Sequence, residues 1–159
     1  MKSFLLKDNK PTIQWSLIPN NTFFEGDIPE GYALAVCPSE NIVILDVDVK
    51  NNKNGFESIP VQILSELEQT FNYNTKSGGA HYWIKYTNDK PLKNCSTKYG
   101  LDLRIGKNES TGNNGGYVKY PFHIDIRECI HLIKESSQEL NLFLESLFLG
   151  VNYEKEVTE

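Results

Sequence analysis

The chain has 159 residues, 39% hydrophobic and 23% charged, with a net charge of −5. That is enough apolar material for one globular domain and argues against wholesale disorder. The negative balance excludes an overall basic nucleic-acid binder but leaves room for a local basic groove.

No apolar run is long enough to span a bilayer, and residues 1–7 lack a signal-peptide cleavage site, so a cytoplasmic protein without a membrane partner is expected. Cys37, Cys95 and Cys129 are odd in number and widely spaced. They read as buried or half-buried thiols, not as a zinc site or a disulfide framework.

Residues 8–31 are rich in turn formers, including Asn9, Pro11, Pro19, Asn20, Asn21, Gly26, Pro29 and Gly31. They are expected to wrap over the surface, anchored by Trp15, Ile18, Phe23 and Phe24. Strands are predicted over 32–36 and 42–47, separated by a loop of hairpin length at 37–41. Residues 51–55 form a polar loop. A helix follows, with Ser58 as N-cap, Pro60 in the first turn, and an apolar face of Ile63, Leu64, Leu67 and Phe71.

Strands at 72–75 and 80–86 flank a Ser77-Gly78-Gly79 turn, and further short strands fall at 101–105 and 117–120. From 124 to 149 the pattern turns helical and predicts two helices. Ser136 and Glu139 offer a capping box for the second, whose apolar residues are Leu140, Phe143, Leu144, Leu147 and Phe148. An amphipathic helix of this kind is expected to cover the sheet with its apolar face. The order predicts an α+β fold, a sheet covered by helices, with residues 1–150 as one domain. Residues 151–159 form an acidic tail carrying Glu154, Glu156 and Glu159. The centre of the chain is richer in cations, among them Lys50, Lys53, Lys76, Lys85, Lys90, Lys93, Lys98, Arg104 and Lys107, as a phosphate-facing region would be.

Three segments carry chemistry. In Ile42-Val43-Ile44-Leu45-Asp46-Val47-Asp48 an apolar strand delivers two aspartates, and residues at i and i+2 share a face. Like charges so close call for a cation or a shared proton; a hard divalent ion suits carboxylate oxygens. The alternative is a strand that ends in a polar turn. In Leu101-Asp102-Leu103-Arg104-Ile105 one face is apolar and the other sets Asp102 beside Arg104. That pattern also describes an ordinary surface ion pair.

In Lys76-Ser77-Gly78-Gly79-Ala80-His81, adjacent glycines let backbone amides crowd an anion. His81 can donate to a phosphate oxygen or coordinate a metal. A plain hairpin turn followed by a half-buried histidine is the alternative. The segment is not a Walker loop, because it lacks the Gly-Lys-Ser/Thr ending and opens a strand. Taken together, three aspartates on two strands are able to hold a metal pair for phosphoryl transfer, with Lys76, His81 and Arg104 to neutralise a triphosphate.

These segments, in this order, resemble the primase–polymerase domain of phages and plasmids, within the archaeo-eukaryotic primase superfamily. The resemblance rests on the strand ending in Asp46-Val47-Asp48, on Thr75-Lys76-Ser77-Gly78-Gly79-Ala80-His81, on Asp102-Leu103-Arg104, and on Gly115-Gly116-Tyr117-Val118. Lys10-Pro11-Thr12-Ile13-Gln14-Trp15 is similar to the family's opening segment. The likeness covers about residues 10 to 122.

It implies an RRM-like mixed sheet with a small α/β unit, and Asp46, Asp48 and Asp102 as ligands for Mg²⁺ or Mn²⁺. It further implies a nucleotide site of Lys76, Ser77, Gly78, Gly79, His81 and Arg104, in which Arg104 pairs with the phosphates. The implied activity is template-directed nucleotidyl transfer, a DNA primase or polymerase. The partners would be a single-stranded DNA template, nucleoside triphosphates and a separate replicative helicase, in the cytoplasm of a bacterial host or virus-infected cell.

The chain departs from the family in a polar insertion at 106–114, expected to be a mobile loop, and in ending soon after its helices. A non-catalytic replication accessory protein on the same scaffold, binding nucleic acid or a helicase, is the competing expectation. A metal-dependent nuclease ranks behind both, because Arg104 and the glycine turn suit a triphosphate.

Overall fold

A computed structural model describes residues 1–39, 41–50, 52–106 and 115–149. The strands are β1 (Lys2–Lys7), β2 (Lys10–Pro11), β3 (Tyr32–Cys37), β4 (Ile42–Val47), β5 (Val49–Lys50), β6 (Lys53–Asn54), β7 (Asn72–Asn74), β8 (Ala80–Lys85), β9 (Cys95–Ser96), β10 (Leu101–Ile105), β11 (Val118–Tyr120) and β12 (Lys134–Glu135). The α-helices are α1 (Val61–Leu67), α2 (Ile126–Cys129) and α3 (Gln138–Phe148). The fold is α+β, as expected. No helix among the described residues is long and apolar enough to cross a membrane.

Two larger sheets make the body. One has the order β11-β3-β1-β2, all antiparallel. The other runs β12-β8-β4-β10-β9, with β7 pairing β8 on the same edge as β12. It is mixed, because β12 joins β8 in parallel. The small β5–β6 ribbon follows β4 directly.

β4 is apolar on both faces along its first four residues, so it needs neighbours on both edges and cover on both faces. Its odd positions, Val43, Leu45 and Val47, join Tyr82, Ile84, Leu101, Leu103 and Ile105 in a core closed by Ile63 and Leu67 of α1 and by Leu140, Phe143, Leu144 and Leu147 of α3. The apolar face of α3 thus covers the sheet.

Its even positions face the other way. Ile42 and Ile44 pack with Trp83 against Val36, Val118 and Tyr120 of the four-stranded sheet. This second sheet covers one half of the β4 face and leaves the half bearing Asp46 and Asp48 partly exposed. Its own outer face buries Phe4, Leu6 and Ala35 beneath Trp15 and Ile18. The lysine at position 2, itself buried, donates to the Ile18 carbonyl at 2.9 Å.

Several expectations are corrected. Residues 37–41 do not close a hairpin: β3 and β4 lie in different sheets, and the loop crosses between them. Residues 2–7 form a strand, β1, which the sequence pattern does not predict. Ser58 does not cap α1; Pro60 holds that position, with no side-chain hydrogen bond. Phe71 lies past the end of that helix and joins the opposite core, with Trp83.

The first helix of the 124–149 region is a single turn, and β12 intervenes before the second. The cap of α3 is Ser137, which accepts from Leu140 N at 3.2 Å. Ser136 is buried instead and bonds Asn141 and Thr87. Apart from Gly106, the 106–114 insertion lies outside the described residues, as does the acidic tail. Cys37 is buried, and Cys95 and Cys129 are half-buried.

Candidate metal centre

Antiparallel pairing assembles the site. Asp46 on β4 stands opposite Asp102 on β10 and, across its other edge, opposite His81 on β8. Three adjacent strands therefore present an Asp102–Asp46–His81 row on one face. Asp48 extends the β4 side of the row by one i+2 step. One carboxylate oxygen from each of Asp46, Asp48 and Asp102 lies within 4.8 Å of the others.

All three side chains are half-buried, so solvent reaches them from one side only. Burial, and behind it the carboxylates of Asp46 and Asp102, pushes the Asp48 carboxyl above its ordinary range. Crowding of this kind is relieved by a divalent cation. The donor set fits such an ion: three hard carboxylates and no thiol. The three aspartates can thus hold a metal ion.

The backbone of Asp48 is clamped. Its N–H donates to the Gly100 carbonyl at 2.8 Å, and its own carbonyl accepts from Gly55 N at 2.9 Å. Gly100 has φ +80°, and a Cβ there would lie 3.1 Å from the Asp48 oxygen. A Cβ on Gly55 would run into the Gly100 carbonyl. The only signal of either glycine in the sequence is its position, one closing a polar loop and the other preceding the Asp102 strand.

Arg104 stands two residues along from Asp102 and donates to its carboxylate at 3.4 Å. Its other terminal nitrogen bonds the Leu103 carbonyl at 3.3 Å. The 74–80 segment does form a tight turn, with Gly78 N bonded to the Thr75 carbonyl and Thr75 N to the Gly79 carbonyl. Lys76, Ser77 and Gly78 are exposed on it. Gly79 is buried, and a Cβ there would collide with the Val47 carbonyl oxygen. That glycine is required by the close approach of the turn to the end of β4.

Just past Asp48, the β5–β6 ribbon sets Lys50 opposite Lys53, both exposed. Two like charges in that position oppose each other.

His81 is buried, and its Nε2 lies 3.3 Å from Asp46 Oδ1. Its Nδ1 is 2.9 Å from the Tyr73 hydroxyl, which accepts in turn from Trp83 Nε1 at 3.2 Å. Tyr73 faces His81 directly across the β7–β8 pair. Neither Tyr73 nor Trp83 was singled out from sequence, since aromatic residues in short strands read as core.

Comparison with protein-family models gives no match, and comparison with curated proteins gives none either.

Proposed function

We propose that this chain is a metal-dependent nucleotidyltransferase of the primase–polymerase type, using nucleoside triphosphates on a single-stranded DNA template. The observation that carries the reading is the convergence of Asp46, Asp48 and Asp102 from two paired strands onto the uncovered half of a sheet. The order of the accompanying motifs, similar to that of the primase–polymerase family, supports the same reading.

Asp46, Asp48 and Asp102 would hold Mg²⁺ or Mn²⁺. When bound, such ions lower the barrier for attack by a hydroxyl on the α-phosphate and offset charge on the departing pyrophosphate. The protein's own groups orient and neutralise. Arg104, paired with Asp102 through one nitrogen only, has donors left for phosphate oxygens. Lys50, Lys53 and Lys76 lie on exposed segments beside the cluster, where the triphosphate or the template backbone would pass. The core beneath α1 and α3 packs against the inner face of β4 and β10, whose opposite face carries the carboxylates.

The test is primer extension and de novo synthesis on single-stranded DNA with Mg²⁺ or Mn²⁺, beside an Asp46→Ala/Asp48→Ala double variant. Synthesis by the wild type that is lost in the double variant supports the reading. Equal synthesis by both removes it. Binding of DNA or of a replicative helicase without synthesis favours the accessory role, and shortening of the template favours a nuclease.

A further inference from the structure

We propose that Tyr73 is a positioning residue that fixes His81 as the tautomer carrying its proton on Nε2, the ring nitrogen beside Asp46. The argument is a count of protons. An indole N–H only donates, so the Tyr73 oxygen is the acceptor in its 3.2 Å contact with Trp83 Nε1. The phenol then has one proton left to donate, and His81 Nδ1 stands 2.9 Å away.

Were Nδ1 protonated, the phenol oxygen would accept twice and its own proton would lose this partner. The surroundings offer little in exchange. Phe71 packs on the Tyr73 ring at 5.6 Å and Tyr120 at 5.3 Å, and burial pushes the phenol well above its ordinary range, so it keeps its proton.

The far side of the imidazole is compatible with that tautomer. Nε2 is 3.3 Å from Asp46 Oδ1. A bare lone pair there would stand beside a carboxylate oxygen, whereas an N–H places the positive end of its dipole there. The hydrogen-bonded chain Trp83 → Tyr73 → His81 runs in one direction, each donor matched to one acceptor, and it ends with an N–H beside Asp46.

The consequence reaches the carboxylate cluster. A ligand whose second oxygen or outer partner is fixed by a hydrogen bond holds its metal more tightly, and loss of such an outer partner costs about 10- to 100-fold in affinity or activity. His81, with a side chain only 6% exposed and its Nε2 3.3 Å from Asp46 Oδ1, acts on the site as an outer partner of Asp46, and a protonated Nε2 has no lone pair with which to ligate. This consequence for metal binding rests on the function proposed above; the tautomer does not.

Long-range proton–nitrogen correlation spectra, recorded above the ordinary histidine pKa range, distinguish protonated from bare ring nitrogens. His81→Asn assigns the signals against those of His123 and His131. The wild type should show Nε2 protonated and Nδ1 bare, and Tyr73→Phe should give a mixture of tautomers. A wild type protonated on Nδ1, or a Tyr73→Phe pattern identical to the wild type, overturns the proposal.

Mn²⁺ titration then reads the consequence, with about tenfold weaker binding expected in Tyr73→Phe. Unchanged Mn²⁺ affinity alongside a scrambled tautomer removes the link to Asp46. A wild type that binds no Mn²⁺ removes the metal reading instead, and the spectra still decide the tautomer.

Discussion

Gly100 and Asp48 are joined at both ends of a peptide-wide contact: the Gly100 carbonyl accepts the Asp48 N–H at 2.8 Å, and the space for a Gly100 side chain is closed by the Asp48 carbonyl. The candidate ligand Asp48 is held by backbone, and the backbone is held by a residue with φ +80°. Gly100→Ala should therefore cost about 1–3 kcal/mol, the size of a strained left-handed residue. It should also weaken Mn²⁺ binding, because relief of the clash moves Asp48. Denaturant unfolding and Mn²⁺ titration on the same sample check both effects.

Three carboxylates within 4.8 Å of one another oppose folding in the absence of a cation. Asp48→Asn removes repulsion on the order of 1 kcal/mol. The metal-free variant should melt about 2–4 °C higher than the wild type. Its synthesis should fall by about 100-fold or more, the scale of losing one preorganised electrostatic partner. A variant that is both less stable and equally active contradicts the cluster's role.

Arg104 donates to Asp102 through one terminal nitrogen, and its side chain remains 28% exposed. Arg104→Ala should raise the KM for nucleoside triphosphate about tenfold or more, while binding of single-stranded DNA changes less. Steady-state kinetics and fluorescence anisotropy separate the two. Equal losses in both would count against a triphosphate role.

Asp125 caps α2, accepting from Arg127 N at 3.0 Å, and pairs with the Arg127 guanidinium. Those hydrogen bonds hold its carboxyl below the ordinary range. For a depressed carboxyl the unfolded state binds the proton more readily, so stability from this group is complete above the ordinary aspartate pKa. It declines as pH falls through that value toward the lowered one. Asp125→Asn should flatten this part of the acid limb. Thermal melts across the acid range compare the two slopes.

Much of the fold was legible where one face of a strand is dry. Residues 101–105 alternate apolar with charged, and that alternation set both the strand and the side on which Asp102 and Arg104 emerge. Residues 2–7 were not legible, because Lys2 and Ser3 are polar yet buried. Their partners, the Ile18 carbonyl and Phe24 N, lie 16 and 21 residues away. The switch of β3 into another sheet was hidden for a related reason, since loop length at 37–41 is equally compatible with a hairpin or a crossing.

At the site, the i, i+2 spacing of Asp46 and Asp48 showed directly that the two carboxylates share a face. Tyr73 did not announce itself, because its meaning comes from a hydrogen bond across β7–β8 and from an indole two residues beyond His81. The adjacent glycines suggested an anion cradle, but Gly79 serves the approach of the turn to Val47.

The pairing of β4 with β10 has one more consequence. Leu103 stands opposite Leu45, and Asp102 opposite Asp46. A slip of β10 by one residue would turn Asp102 and Arg104 inward beneath α3 and push Leu101 and Leu103 out into water. Burying that ion pair against leucines is costly enough to exclude the slipped form from a packed core. Core packing thus excludes the one-residue slip, and a molecule with these leucines packed inward has its carboxylates on the opposite face before any ion arrives.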